Sequence, residues 1–373
     1  MTPPRPTQTE FSRGGAAVEA LPVVGVTLGD IAGIGPEVAI RAAMDPTVRQ
    51  HLAPLMIGHP EILRRTALTL GLDVPIVTLS PTQTGPSARM TARQAHQTGA
   101  IVCWPVGDDD LLSVPMGKVD SRAGRAAYDC LTTAIDAALD NQIDAITTAP
   151  LNKLALRQAG INSPGHTEIL AERCGISQYA MMLHLPPGDV IRGEHGLSVC
   201  HVTLHTSIAS VPQLLTSNGI AESIELIDTF LRQLGCPAPR VGVCALNPHA
   251  GESGLFGDEE RQLIKPAVIK MQQRGLHVSG PFPADTLFKR SVVDNEFDGV
   301  VAMYHDQGHI AFKLIGFERA VNITLGLPII RTSPSHGTAF EIAGQGVARP
   351  EGMINALLTA TRLFTGRNSE NPT

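Results

Sequence analysis

The sequence predicts an α/β protein with a mainly parallel sheet. Short apolar runs alternate with longer segments of helical spacing. The runs are apolar throughout, as in strands covered on both faces. The length, 373 residues, exceeds one average core and suits two domains.

In chain order, strands are expected at 23–28, 143–147, 180–185, 241–246 and 300–303, with helices at 126–139, 220–234 and 259–274. The first strand runs into GDIAGIGPE at 29–37, where Pro36 suits the first turn of a helix. This glycine pattern is not G-x-G-x-x-G, so it predicts a tight turn and not a dinucleotide fingerprint. Polar loops follow later strands at 149–152, 247–257 and 304–309. Ligands of open α/β sheets collect at the carboxyl ends of strands. Residues 1–20, rich in Pro, Thr, Gly and Arg, read as a disordered tail without the apolar core of a signal peptide.

Hydrophobic residues make up 43% and charged residues 17%, so a packed core is expected and not disorder. A net charge of -6 and only 4% aromatics leave no basic stripe or stacking platform for nucleic acid. No apolar run is long enough to span a membrane. Cys103, Cys130, Cys174, Cys200, Cys236 and Cys244 form no C-x-x-C pair. This disfavours thiolate zinc and dithiol redox sites and fits buried thiols in a reducing cytoplasm.

The histidines carry more information. His205, His249 and His305 lie at or just beyond expected strands. Three neutral imidazoles with an open fourth position can hold a catalytic divalent ion. Such an ion acidifies a bound hydroxyl and polarises the carbonyl formed from it. The plain alternative for each is a hydrogen-bonded loop or interior histidine. His166 and Thr167, in GHTE at 165–168, open a helical pattern whose free N–H groups favour an anion; the plain reading of Thr167 is an N-cap. Lys313, Asn322 and Arg331 could grip phosphate or carboxylate, and the apolar neighbours of Arg331 argue against a solvated surface charge. Asp306, beside His305, and Asp285 could move a proton or orient a histidine. The plain reading of Asp285 is a cap for the next helix.

Taken together, GDIAGIGPE (29–37), TAPLNK (148–153), GHTE (165–168), NPHAGE (247–252), PADTLF (283–288), YHDQG (304–308), VNITLGLPIIRTS (321–333) and HGTAFEIAG (336–344) resemble the 4-hydroxythreonine-4-phosphate dehydrogenase (PdxA) family, over about residues 23–363. The resemblance implies a fold like isocitrate and isopropylmalate dehydrogenases: two α/β/α domains with a cleft between them. The first would hold residues 21–150 and 335–373. The second, 151–334, would carry most metal and substrate residues and the interface of a homodimer. Metal ligands carry over to His205, His249 and His305, drawn from both subunits. Substrate binding carries over to His166, Thr167, Lys313, Asn322 and Arg331. Asp285, Asp306 and Lys313 take catalytic positions, and the loop of His336, Gly337, Thr338 and Ala339 is similar to one that meets the adenosine of NAD. The implied cofactors are NAD and a divalent ion: zinc, cobalt, magnesium or manganese.

The implied reaction is oxidation with decarboxylation of a small phosphorylated hydroxy acid. The candidates are 4-phosphohydroxy-L-threonine, in pyridoxine biosynthesis, and 4-phospho-D-threonate or D-erythronate, in sugar-acid breakdown. Some similar proteins instead oxidise an aromatic cis-dihydrodiol carboxylate of the terephthalate type. Outside dehydrogenases, the rivals are a metal-dependent phosphohydrolase and a catalytically silent binding protein. Three departures stand out: Ile31 where the family commonly has proline, Pro334-Ser335 where it often has Val-Asp, and a longer segment at 184–197 that is expected to reshape the substrate pocket. The run from His305 to His309 resembles the threonate and erythronate branch, and His309 also reads plainly as a packing residue.

Overall fold

The computed structural model describes residues 21–80, 86–163 and 165–370. The expected tail at 1–20 lies outside them. Among the described residues, twelve strands form one sheet: β1 (Val23–Thr27), β2 (Ala53–Gly58), β3 (Ile76–Thr78), β4 (Ile101–Pro105), β5 (Ala145–Thr148), β6 (Ala180–Leu185), β7 (Leu197–His201), β8 (Val241–Cys244), β9 (Val278–Phe282), β10 (Gly299–Ala302), β11 (Val321–Leu325) and β12 (Arg331–Pro334). Their spatial order is β3-β4-β2-β1-β5-β12-β11-β6-β7-β10-β8-β9.

The predicted α/β class is the observed one. β3 to β12 on one side, and β7 to β9 on the other, are parallel blocks. Each is built by helical crossovers, which parallel neighbours require. The blocks meet through three antiparallel pairs: β12 with β11, β11 with β6, and β6 with β7. Antiparallel neighbours need only hairpins. The β11–β12 hairpin turns at Gly326, where φ is +86° and a Cβ would meet the Gln178 carbonyl at 2.5 Å.

Most strands are buried along their whole length, which explains their unbroken apolar runs. Helices begin where polar side chains satisfy the first free N–H groups. Asp120 caps Ser121–Leu139, Asn152 caps Lys153–Gln158 and Thr216 caps Ser217–Gln233. Pro36 sits in the first turn of Gly35–Met44, as expected. Expected strand ends differ from the observed by up to two residues, where local hydrogen bonding sets the boundary. The six thiols are free, and all but Cys174 are buried. Among the described residues, no helix is long and apolar enough to cross a membrane.

The longer segment at 184–197 does not do what its length suggested. Its core is the loop of the β6–β7 hairpin, pinned by Arg319, whose guanidinium donates to the Pro186 and Pro187 carbonyls. None of residues 186–196 lines the cleft described below.

The turn after β1 carries a buried carboxyl. Asp30 Oδ1 accepts from the Ala32 N–H at 2.9 Å, and Oδ2 has no partner among the described residues. Burial pushes Asp30 up from 3.8 to about 6. The folded protein therefore holds this proton more tightly than the unfolded chain, and stability falls as pH rises from about 4 through 6. Asp30→Asn is expected to melt higher than the parent above pH 6, by up to about 3 kcal/mol, and to match it below pH 4. Thermal melts at pH 4 and 8 check this; equal melting of the two proteins at pH 8 would refute it.

Candidate active site

A cleft of about 300 Å³ opens over the middle strands, where the two parallel blocks meet. β5 contributes Thr148, β6 contributes Met181 and Leu183, β11 contributes Asn322, and β12 contributes Arg331 and Ser333. Lys153, His166, Thr167 and Glu168 follow β5, while His205 follows β7. The helix His305–Gly316, which follows β10, adds His305, His309 and Lys313.

Arg331 is the largest fully buried side chain, at 2% exposure. It donates to Thr148 Oγ1 at 2.7 Å and to Thr324 Oγ1 at 3.2 Å. Among the described residues its Nε has no hydrogen-bond partner and no carboxylate forms an ion pair with it. Burial draws Arg331 down to about 9, opposed by the charge of Glu168. It is still a cation near neutral pH. A buried cation held only by hydroxyls is costly unless an anion joins it. Among the described residues, two more buried polar atoms of the cleft also lack partners: Asn322 Oδ1 and His336 Nε2. Buried polar groups are rarely left so, and these face a place for a polar ligand.

Burial, with the Arg331 charge adding to it, holds His166 well below the usual histidine range, against the Ala149 carbonyl. Thr167 is not the N-cap: the helix His166–Arg173 starts at Gly165 without a side-chain cap. His166 and Thr167 thus stand on an open helix start that adds to the anion-binding side.

On the other side are the imidazoles. His205 and His305 have ring centroids 5.7 Å apart. Burial lowers His205, and the charges of Lys153 and His305 lower it further. His305 Nδ1 lies 2.7 Å from Asp306 Oδ1. A carboxylate there takes the Nδ1 proton's bond and leaves the Nε2 lone pair free to ligate. With ion–nitrogen distances of about 2.0–2.1 Å, one divalent ion could sit between these two rings. Behind them, His309 stacks on His305 with centroids 3.7 Å apart, and its Nδ1 is 3.1 Å from His201 Nε2. Burial first, then neighbouring histidines, bring His201 down to about 3 and His309 to about 4.

His249 is elsewhere. It lines a neighbouring pocket with Asp285, Tyr304, Asp306, Ile310 and Leu314. Its turn is strained: five consecutive residues, His249 to Ser253, have φ between 44° and 77°. Glu260 anchors this turn by accepting from the Leu246 and Asn247 N–H groups. Asp285 is not the cap of its helix, which is Pro283 without a side-chain bond; it stands in the first turn, where its Oδ1 accepts from the Thr286 N–H at 2.8 Å. Among the described residues, no group of three or more His, Cys, Asp or Glu within the chain could hold a metal ion. The cleft thus gathers His166, Thr167, Lys313, Asn322, Arg331, His205, His305, His336 and Gly337, while His249, Asp285 and Asp306 share the adjoining surface. Thr338 and Ala339 turn towards the segment after β1: the Thr338 carbonyl accepts from the Ile34 N–H at 2.9 Å, and Ala339 has φ +42°.

Lys153 and Thr148, both in TAPLNK, are site residues that the sequence motifs do not single out. The motifs also pass over His201, whose signal was its spacing to His205.

The model of the family described as pyridoxal phosphate biosynthetic protein PdxA matches residues 50–360. The chain belongs to the PdxA family. Within that family it is 43% identical over 350 residues to the D-threonate 4-phosphate dehydrogenase of Cupriavidus necator, covering 93% of this chain and 98% of that one. It is 41% identical over 353 residues to the 4-hydroxythreonine-4-phosphate dehydrogenase of Desulforapulum autotrophicum, covering 94% and 98%. A crystal structure of a 4-hydroxythreonine-4-phosphate dehydrogenase from Burkholderia phymatum superposes with a TM-score of 0.75 at 41% identity, covering 92% of this chain and 98% of that one. The PdxA relatives are thus named as dehydrogenases of phosphorylated threonine-type acids. Their fold is the fold described above.

Proposed function

We propose that this PdxA-family chain is an NAD- and divalent-metal-dependent dehydrogenase in the cytoplasm. It oxidises, with decarboxylation, a 4-phosphorylated 3-hydroxy C4 acid: 4-phosphohydroxy-L-threonine, or 4-phospho-D-threonate or D-erythronate. The observation that carries this reading is the buried Arg331, which among the described residues has no ion-pair partner, with the unpartnered Asn322 Oδ1 in the same cleft and two imidazoles across it.

In this reading Arg331, His166, Thr167 and Asn322 bind and orient the anionic substrate. Charge-assisted bonds from Arg331 supply most of that grip. His205 and His305 of one copy, with His249 of the partner subunit, would hold the divalent ion. When bound, the ion supplies Lewis acidity at the substrate's hydroxyl oxygen and at the carbonyl that replaces it. Lys313 Nζ, or a water linked to Asp306, takes the hydroxyl proton, and Asp285 assists from the same shared surface. The loop of His336, Gly337, Thr338 and Ala339 seats NAD, which supplies the hydride acceptor.

A homodimer with shared active sites agrees with the surface around His249. Leu255, Phe256, Ile310 and Leu314 are exposed there, the last at 83%. Exposed apolar patches of this kind mark association surfaces. Residues 21–150 with 335–373, and 151–334, would be the two domains of each copy.

The test is absorbance of NADH on mixing the protein, NAD, a divalent ion and each phosphorylated acid. Phosphate release without NADH would instead indicate a hydrolase, and no signal with any acid would sink the reading.

A second expectation concerns the NAD loop. A Cβ on Gly33 would lie 2.7 Å from the Thr338 carbonyl. Gly33→Ala must therefore push that loop. The KM for NAD should rise roughly tenfold, since an ångström of misplacement can cost that much or more, while the KM for the acid stays near the parent's. An unchanged KM for NAD would remove the loop from the cofactor site.

A further inference from the structure

The cleft holds a cation whose task the reading above leaves open. Lys153 opens the helix Lys153–Gln158, just past Thr148, and its side chain lines the cleft. Asn152 caps that helix with its own side chain, so Lys153 is not needed there. Lys313 shares its charge with the ring of Phe317, 5.8 Å from Nζ to the centroid, and Arg331 shares its own with two hydroxyls. Lys153 has no such company. Among the described residues the one lysine ion pair is that of Lys289 with Asp294. Even Glu168 is not joined to Lys153, although Lys153 Cε and Glu168 Oε2 lie 3.7 and 3.5 Å from the point where a Cβ on Gly165 would stand.

The cations of the cleft differ in depth. Arg331 is buried on the strands at 2% exposure, whereas Lys153 is exposed at the rim. The two anions of the proposed substrate differ in fate. The phosphate passes through the reaction unchanged. The carboxylate is lost. Removal of a hydride and a proton at carbon three gives a 3-keto acid. The bond between carbons one and two then breaks, its electron pair passes to the ketone oxygen, and CO₂ leaves uncharged; carbon two afterwards takes a proton. A planar fork in a buried place grips an anion firmly. Such a grip on the carboxylate would stabilise a charge that the reaction must remove. A hydrated ammonium on a flexible stem holds an anion loosely and lets it go. The permanent anion therefore matches the buried Arg331, and the departing one matches Lys153, where the cleft opens to solvent.

We propose that Lys153 is the anchor for the carboxylate that the reaction expels, with the phosphate held on the sheet by Arg331. The inference rests on the substrate reading above. It adds a binding residue to that reading and an orientation for the acid: phosphate on the strands, carboxylate at the rim.

The test compares an acid with its own decarboxylated product, since the two share the phosphate and differ in the carboxylate. For 4-phospho-D-threonate that product is dihydroxyacetone phosphate. Binding of each is measured by calorimetry without NAD. Lys153→Met should raise the Kd of the acid about five- to tenfold, the scale of one partly exposed charge-assisted bond, and leave that of the ketone near the parent's. Lys153→Arg, which keeps the charge, should bind the acid nearly as the parent does. Arg331→Met should weaken acid and ketone alike. In turnover, Lys153→Met should raise KM and keep kcat, as removal of ground-state binding does. Equal weakening of acid and ketone by Lys153→Met, no weakening of either, or a fall in kcat at unchanged KM would overturn the inference alone. No NADH from any of the phosphorylated acids in the parent would overturn the substrate reading, and this one with it.

Discussion

Arg331→Met is expected to lower kcat/KM for the phosphorylated acid roughly 10²–10³-fold without unfolding the protein. The size follows from truncating one side of a buried, charge-assisted contact, worth about 2–5 kcal/mol. The fold is expected to survive because the ligand-free Arg331 is a burden. Its charge is buried, its Nε lacks a partner, and hydroxyls of Thr148 and Thr324 are its side-chain acceptors. A similar-sized apolar side chain removes that desolvation cost, so the melting temperature should hold or rise. Arg331→Lys should behave more like the methionine variant than like the parent. A point charge on a flexible stem cannot reproduce a planar fork between two hydroxyls and an oxyanion. Steady-state kinetics beside thermal melts separate the two effects. Full activity in the methionine variant would take Arg331 out of the anion site. A collapsed melt would make it a structural residue.

His249→Ala and His305→Ala are each expected to lower turnover by at least about 10³-fold, the scale of losing several kcal/mol of transition-state charge stabilisation. Within one chain His249 and His305 line different pockets, so the shared site makes a further demand. Mixing the two inactive variants under conditions that exchange subunits should restore activity. In a mixed dimer one of the two sites receives an intact His305 from one copy and an intact His249 from the other, so the mixture should recover roughly a quarter of the parent's sites. Either variant alone should stay inactive at any concentration. Absence of recovery, with exchange shown by mass-tagged subunits, would mean that the two histidines serve no common centre. Bound metal measured on each variant gives a readout independent of turnover.

Both expectations turn on placement, and here sequence and structure divide the work. The α/β class was legible because strands covered on both faces must be apolar throughout, and a period of two or of 3.6 survives in sequence. The runs at 180–185 and 23–28 gave their strands almost to the residue. Short or half-polar strands such as β3 and β12 gave no such signal. The latter holds Arg331, Thr332 and Ser333, which no periodicity would assign to a buried strand.

The residue types of the site were also written in the chain: imidazoles after strands, a helix-opening GHTE, and a cation among apolar neighbours. Chemistry restricts which side chains can ligate a metal or grip an anion, and restriction leaves a readable trace. Only the tertiary structure could decide which of them meet. It brought Arg331, Asn322 and His166 to one cleft with His205 and His305, and set His249 and Asp285 on the next surface. It made the long segment at 184–197 a hairpin loop away from the cleft, and it stacked His309 on His305. Those outcomes depend on strand order and on the angle at which helices leave the sheet. They are set by packing between residues far apart in sequence, so no local pattern contains them.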